Sequence, residues 1–223
     1  MPFTGFPPET FAFLTGLTQN NNKQWFDDHR SDYDQHWVKP AKDFVAGIGP
    51  KLRALAPNVK FEPKVNGSIF RINRDVRFSK DKRPYKTTLD LWFWQGEKRG
   101  WENPGFFLRL LPAEFIAGAG MHGFSPPQLK KYRAAVAAET SGKALQTLET
   151  SLGDLKLCEP GRTSIPRGFD VNHPRAHYLL LEALNATIQA PLPKSIHSAG
   201  FLEECIEIFR QAAPLSRWLT EVL

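Results

Sequence analysis

Thr87-Thr88-Leu89-Asp90-Leu91-Trp92-Phe93-Trp94-Gln95 is the stretch that decides the fold. It is rich in β-branched and aromatic side chains, which fit a pleated surface better than a helix. Successive side chains of a strand point to opposite faces. Leu89, Leu91 and Phe93 therefore share one face, and Trp92 and Trp94 share the other. Apolar groups on both faces predict a sheet covered on both sides.

Residues 106–111 and 115–119 read as two further strands, punctuated by Asn103-Pro104-Gly105 and Pro112-Ala113. The connections are too short for helical crossovers, which predicts antiparallel pairing. Beyond them, Ser125-Pro126-Pro127 is a helix start, a capping hydroxyl followed by proline in the first turn. That helix is expected to reach about residue 139, with Gly142 at its exit and a short helix over 143–152. Pro160-Gly161 and Pro166-Arg167-Gly168 mark a loop, and His173-Pro174 opens a helix carrying Tyr178, Leu181 and Leu184. Phe201, Cys205, Ile208 and Ala212 line a penultimate helix, with Trp218, Leu219 and Val222 behind.

Upstream of the sheet, Phe11, Leu14 and Leu17 form a helical stripe that Asn20-Asn21-Asn22 interrupts. Trp25, Phe26, His29, Tyr33 and Trp37 continue at helical spacing, and Pro40 and Pro50 predict a kinked or broken helix. The expected architecture is α+β: one domain over residues 1–223, a central mostly antiparallel sheet, N-terminal and C-terminal helices packed on it.

The composition agrees with a globular chain, since 41% of the 223 residues are hydrophobic, with 17 Phe and 6 Trp. Cys158 and Cys205 have no CxxC neighbour and read as reduced, buried thiols. The first residues lack a basic region followed by an apolar run, and no stretch of 18 apolar residues occurs. The expectation is a cytoplasmic protein without a membrane partner.

The charge is unevenly placed. Of 29 basic and 23 acidic residues, Arg71, Arg74, Arg77, Lys80, Lys82, Arg83 and Lys86 fall in one 16-residue segment with only Asp75 and Asp81. That segment carries +5 of the net +6. If residues 68–79 are extended, Arg71, Asn73, Asp75, Arg77 and Ser79 share a face, and Phe70, Ile72, Val76 and Phe78 share the other. Asn73-Arg74-Asp75 can instead form a turn between shorter strands. Arginine forks bind phosphate or carboxylate in bidentate fashion and lysine adds point charge. The candidate binding residues are these seven cations with Ser79 and Tyr85, and an anionic small molecule is the expected partner. Asp75, a carboxylate held ionised among cations, is the candidate acid or base should the chain be an enzyme. The competing structural explanation pairs Asp75 and Asp81 with two of the cations and leaves the rest solvated. Two other functions remain open: a nucleic-acid-binding module, for which Trp92, Trp94 and Trp101 would stack bases, or a scaffold for an acidic protein. Composition and spacing assign no cofactor or metal.

The run Ser68-Ile69-Phe70-Arg71-Ile72-Asn73-Arg74-Asp75-Val76-Arg77-Phe78-Ser79-Lys80-Asp81-Lys82-Arg83-Pro84-Tyr85-Lys86-Thr87 resembles the hallmark of an uncharacterised, mainly bacterial family, a conserved domain of unknown function. The similarity extends to residues 21–26, to Pro104-Gly105-Phe106-Phe107 and to Pro166-Arg167-Gly168-Phe169-Asp170. It implies that the basic run and the loop at Pro166 belong to one pattern, which places Arg167 beside the cluster. It implies no chemistry.

Three motifs invite overreading. Gly118-Ala119-Gly120-Met121-His122-Gly123 satisfies GxGxxG, but Pro126 delays the helix that a dinucleotide site needs inside the motif, and no parallel strand follows. Ser79-Lys80-Asp81-Lys82 fits SxxK without the helix that chemistry requires. His173 and His177 could hold a metal only with distant ligands such as Asp170 and Glu182, and His29 with His36, near Asp28 and Asp32, form a second set that reads more simply as a polar helix face.

Overall fold

The computed structural model describes residues 2–97, 100 and 102–223. Helix α1 (Pro8–Gln19) buries Phe11, Phe13, Leu14 and Leu17 and stops at Asn20. The Asn22 side chain caps α2 (Lys23–Asp28) by accepting from the Trp25 amide. A turn at α3 (Arg30–Asp32) leads into a π-helical segment, Tyr33–Val38, and then α4 (Lys39–Leu52). The expected disruption at Pro40 takes this form. Proline has no N–H for the carbonyl four residues back. That carbonyl, on His36, accepts instead from the hydroxyl of the fully buried Thr10. Helix α4 then turns Ala41, Phe44, Val45, Ile48 and Leu52 inward, the stripe of an amphipathic helix.

Six antiparallel strands form the sheet: β1 (Val59–Lys60), β2 (Leu89–Gln95), β3 (Gly105–Leu110), β4 (Glu114–Met121), β5 (Lys156–Leu157) and β6 (Leu184–Pro191), in the order β1-β2-β3-β4-β6-β5. The α+β class is as expected, and so is the alternation along β2. Leu89, Leu91 and Phe93 join Phe106, Leu108 and Leu110 of β3 and Phe115, Ala117, Ala119 and Met121 of β4 in the main core. The helices cover this inner face. Helix α8 (Gly200–Val222) lies along β4, β6 and β3 and buries Phe201, Cys205, Phe209, Ala212 and Trp218. Each such large side chain contributes about 1.5–3 kcal/mol on full burial. None of the helices among the described residues is long and apolar enough to cross a membrane.

Several expectations need correction. Residues 68–79 are not a strand: only Ile69 and Asn73 make isolated bridges, to Leu91 and Tyr85. The carboxylates of Asp75 and Asp81 accept from the backbone N–H two residues on, at Arg77 and Arg83, and bend the chain into turns that a ladder cannot follow. Helix α5 (Pro126–Ala137) has the capping box of Ser125 and Gln128 but ends at Ala138, and Gly142 lies inside α6 (Glu139–Thr150). The space above Gly142 is taken by the buried Arg175 side chain, which donates to the Val136 carbonyl at 2.7 Å. After His173-Pro174 only a short helix forms, α7 (Ala176–Leu179), and Leu184 starts β6 instead of extending that helix. Cys205 is buried as expected; Cys158 is only half-buried, and both are free thiols.

Candidate functional site

The outer face of the sheet follows from strand register. One row across β2, β3, β4 and β6 is Trp94, Gly105, Gly120, Asn185; the next is Trp92, Phe107, Gly118, Thr187; the third is Asp90, Arg109, Ile116, Gln189. Trp92, Trp94 and Phe107 form a second apolar cluster, separate from the main core, with Phe70 and Ile116 packed against it. The glycines make this possible. A Cβ on Gly105 would stand 2.8 Å from the Trp92 ring, and Gly120 has φ +134°, a conformation side chains disfavour. Gly118 and Gly120 of the GxGxxG motif thus serve sheet packing, Gly123 lies beyond the strand in open space, and the strand paired beyond β4 is antiparallel.

Among the described residues the outer aromatic cluster is packed by Phe70, which belongs to no helix, and by Ile116 of β4. Its lid is the irregular segment 61–88, tied to β2 where the Phe70 amide donates to Asp90 O and the Trp92 amide to Ser68 O. Between lid and sheet lies a cleft of about 150 Å³ lined by Phe70, Asp90, Phe107, Arg109, Ile116 and Thr187, with His122 on its wall. Arg109 and His122 are shared with an adjoining open bay of about 560 Å³ that also meets Glu102, Phe124 and Ser125.

The polar centre of the cleft is Asp90, only 7% exposed. Arg109 Nε donates to one of its oxygens at 2.6 Å, and Lys86 Nζ stands 3.4 Å from the other. The Lys86 ammonium also lies 4.9 Å from the centre of the Phe70 ring. Arg109 is half exposed, and its terminal nitrogens make no hydrogen bond among the described residues. The His122 ring sits 4.5 Å from the Phe107 ring. One edge of that imidazole is open to solvent, yet the surrounding protein and then the Arg109 charge push it below its usual 6.5, against an opposing pull from Asp90.

The basic segment forms a braced loop whose inner end, Lys86, reaches the cleft residue Asp90. Arg74 N donates to Pro84 O and Lys86 N to Ile72 O, both at 2.8 Å. Asn21 clamps the loop to α2, its amide group exchanging two 3.0 Å hydrogen bonds with the Tyr85 backbone. Tyr85 therefore anchors the loop: its ring is buried and stacked 4.3 Å from Phe26. Asp75 is gripped by Arg77 through Nε at 2.9 Å and Nη2 at 2.6 Å, which holds its carboxyl below the usual range. Asp81 takes Arg83 in the same fork and Arg74 at 2.8 Å, with the same downward effect on its carboxyl. Among the described residues Lys86 alone of the seven cations pairs with a carboxylate from outside the segment. Lys82 caps the Val76 carbonyl at 3.0 Å, while Arg71 and Lys80 make no ion pair or hydrogen bond among those residues. Ser79 is half-buried and joins the loop only through its backbone, 3.4 Å from Val76 O.

Arg167 is exposed in the loop between β5 and β6, at the sheet edge opposite β1 and β2. Among the described residues no hydrogen bond or ion pair joins that loop to residues 71–86. Trp92 and Trp94 are buried, which fits sheet packing and not base stacking, and Trp101 lies outside the described residues. His173 accepts from the Arg175 amide, and His177 packs on Tyr178 at 3.8 Å. His29 bonds Trp25 O and stacks on that indole at 4.0 Å. Among the described residues no three His, Cys, Asp or Glu side chains are grouped closely enough to hold a metal.

Asp90, Arg109, His122, Phe70 and Thr187 were absent from the expected site. The signal for the first two was available, because a lone charge at outward parity stands in each of two apolar strands.

Comparison with family models supplies the class of protein: the chain belongs to a family of conserved hypothetical proteins, whose model matches residues 9–218. That family is DUF2461. A comparison with curated proteins finds no match.

Proposed function

We propose that the protein binds a small anionic ligand, carrying a carboxylate or phosphate on an apolar ring or chain, where the inner end of the 71–86 loop meets the outer face of the sheet. The observation that carries this is the Lys86–Asp90–Arg109 arrangement on an aromatic floor. Two cations around one carboxylate leave one positive charge in excess. A buried ion pair is weak as a source of stability, because removing charges from water costs several kcal/mol per ion. An unspent arginine fork beside apolar rings supports recognition of an anion more readily. An apolar cavity of about 150 Å³ accepts a benzene-sized group, and the adjoining bay has room for the charged end.

Asp75 has no place in this site, since Arg77 already occupies it. Within this reading any acid–base chemistry on the ligand is assigned to His122, the imidazole on the cleft wall.

Thermal denaturation with benzoate, phenyl phosphate, a nucleoside monophosphate and inorganic phosphate tests the proposal. A ring-bearing anion should stabilise the protein saturably, by about 2.7 kcal/mol at a hundredfold excess over Kd. Arg109→Lys keeps the charge and removes the fork; it should lose most of that stabilisation. Failure of every anion to stabilise the wild type, or equal stabilisation of the variant, would overturn the proposal.

A further inference from the structure

The outer end of the same loop carries a separate feature. Phe78 is 95% exposed, and among the described residues the only other large hydrophobic so exposed is Val171, in another loop. Phe78 was expected to share a face with Phe70, Ile72 and Val76; Ile72 is buried and Phe70 packs on the outer aromatic cluster, while Phe78 stands in solvent. The loop is not slack. The two carboxylate forks, the Lys82 cap on Val76 and the Asn21 clamp hold it from several sides. The Arg77 guanidinium lies 5.8 Å from the centre of the Phe78 ring and leaves most of that ring in water. Asp75 and Asp81 are both gripped by arginines, so Lys80 and Lys82 at the tip and Arg71 on the flank form no ion pair among the described residues, although the Arg71 charge still reaches Asp75.

The isolation of Phe78 selects the kind of partner. A protein interface needs a core of several buried apolar side chains inside a polar rim. Membrane insertion needs an apolar face or several anchors. Neither surrounds Phe78. Stacking on a nucleobase needs one free ring, with cations nearby for the phosphates, and it is blind to base identity. A duplex hides its base faces. We propose that the loop tip docks single-stranded nucleic acid, Phe78 stacking on a base while Lys80, Lys82 and Arg71 meet the flanking phosphates.

Fluorescence anisotropy of the full chain with labelled 20-mers of dT and rU, from 20 to 200 mM NaCl, tests this. Three phosphate contacts give a slope of about −2 in log K against log salt. Phe78→Ala should weaken binding roughly tenfold and leave the slope unchanged. The double variant Arg71→Glu with Lys80→Glu should weaken binding and flatten the slope. Arg71, Phe78 and Lys80 are exposed and their side chains make no hydrogen bond or ion pair among the described residues, so unaltered melting is expected and serves as the folding control. Inorganic polyphosphate, a polyanion without bases, should bind Phe78→Ala as well as wild type. The proposal falls if no oligonucleotide binds at 20 mM salt, or if Phe78→Ala binds oligonucleotides like wild type. It falls equally if a Glu-rich peptide is preferred over both 20-mers. Stabilisation by phenyl phosphate in the cleft should survive in Phe78→Ala, which separates this proposal from the one above.

Discussion

The two faces of one sheet have been put to different uses. On the inner face Leu91, Phe93, Phe106 and Leu108 join the main core beneath helices α4 and α8. On the outer face the alternate residues of the same strands are Asp90, Trp92, Phe107 and Arg109, covered by a loop that leaves a cleft. A helix laid on a sheet fills space at crystal-like density and tolerates little that is charged. A loop braced by its own ion pairs covers a surface without filling it. The face that a protein leaves to a loop is where solvent, charge and ligand have access.

Truncation on each face sharpens this contrast. Phe93→Ala on the inner face should cost the most, about 3–5 kcal/mol in urea unfolding. A cost near 1 kcal/mol would mean that the inner face is less tightly packed than described. Asp90→Ala on the outer face should cost about 2 kcal/mol, because it leaves Arg109 and Lys86 beside apolar rings without their carboxylate. Exchanging the pair together, Asp90→Ala with Arg109→Leu, should restore most of that loss while abolishing anion binding. If the double variant is as unstable as the single one, the pair is structural and the contrast between the faces weakens.

The smallest effect is expected at His122. The folded protein holds this imidazole below the usual 6.5, first through its crowded surroundings and then through Arg109. Between the folded value and 6.5 the unfolded chain binds more protons, so stability rises with pH across that window. The destabilisation is complete below the window and gone above it. In His122→Gln the rise in melting temperature from pH 5 to pH 7.5 should be smaller than in wild type. Identical pH profiles would show that His122 is not crowded as described.

Much of this fold was legible because β2 announces itself. Its alternation placed Leu89, Leu91 and Phe93 opposite Trp92 and Trp94, and the Ser125-Pro126 start of α5 rests on capping chemistry that is local in sequence. Strand β6 was not read, although Leu184-Asn185-Ala186-Thr187-Ile188-Gln189 has period two. The apolar residues before it suit a helix equally well, and only pairing with β4 decides between them. Residues 68–79 also alternate, yet they fail as a strand because the Asp75 side chain captures the backbone locally. The charge cluster was visible as composition. What composition could not show is that its own aspartates engage three of its arginines. Nor could it show that the partners of Lys86, Asp90 and Arg109 come together only through register across two strands.

The central claim is that Arg109 offers its unspent fork to an anion. Nitrogen–proton NMR of the arginine side chains during titration with phenyl phosphate reports on it directly. The Arg109 Nε resonance, together with the imidazole of His122, should shift saturably with one affinity, and Arg77 and Arg83 should stay still. Shifts at Arg77 and Arg83 without any at Arg109 would contradict the account and move the binding site out of the cleft.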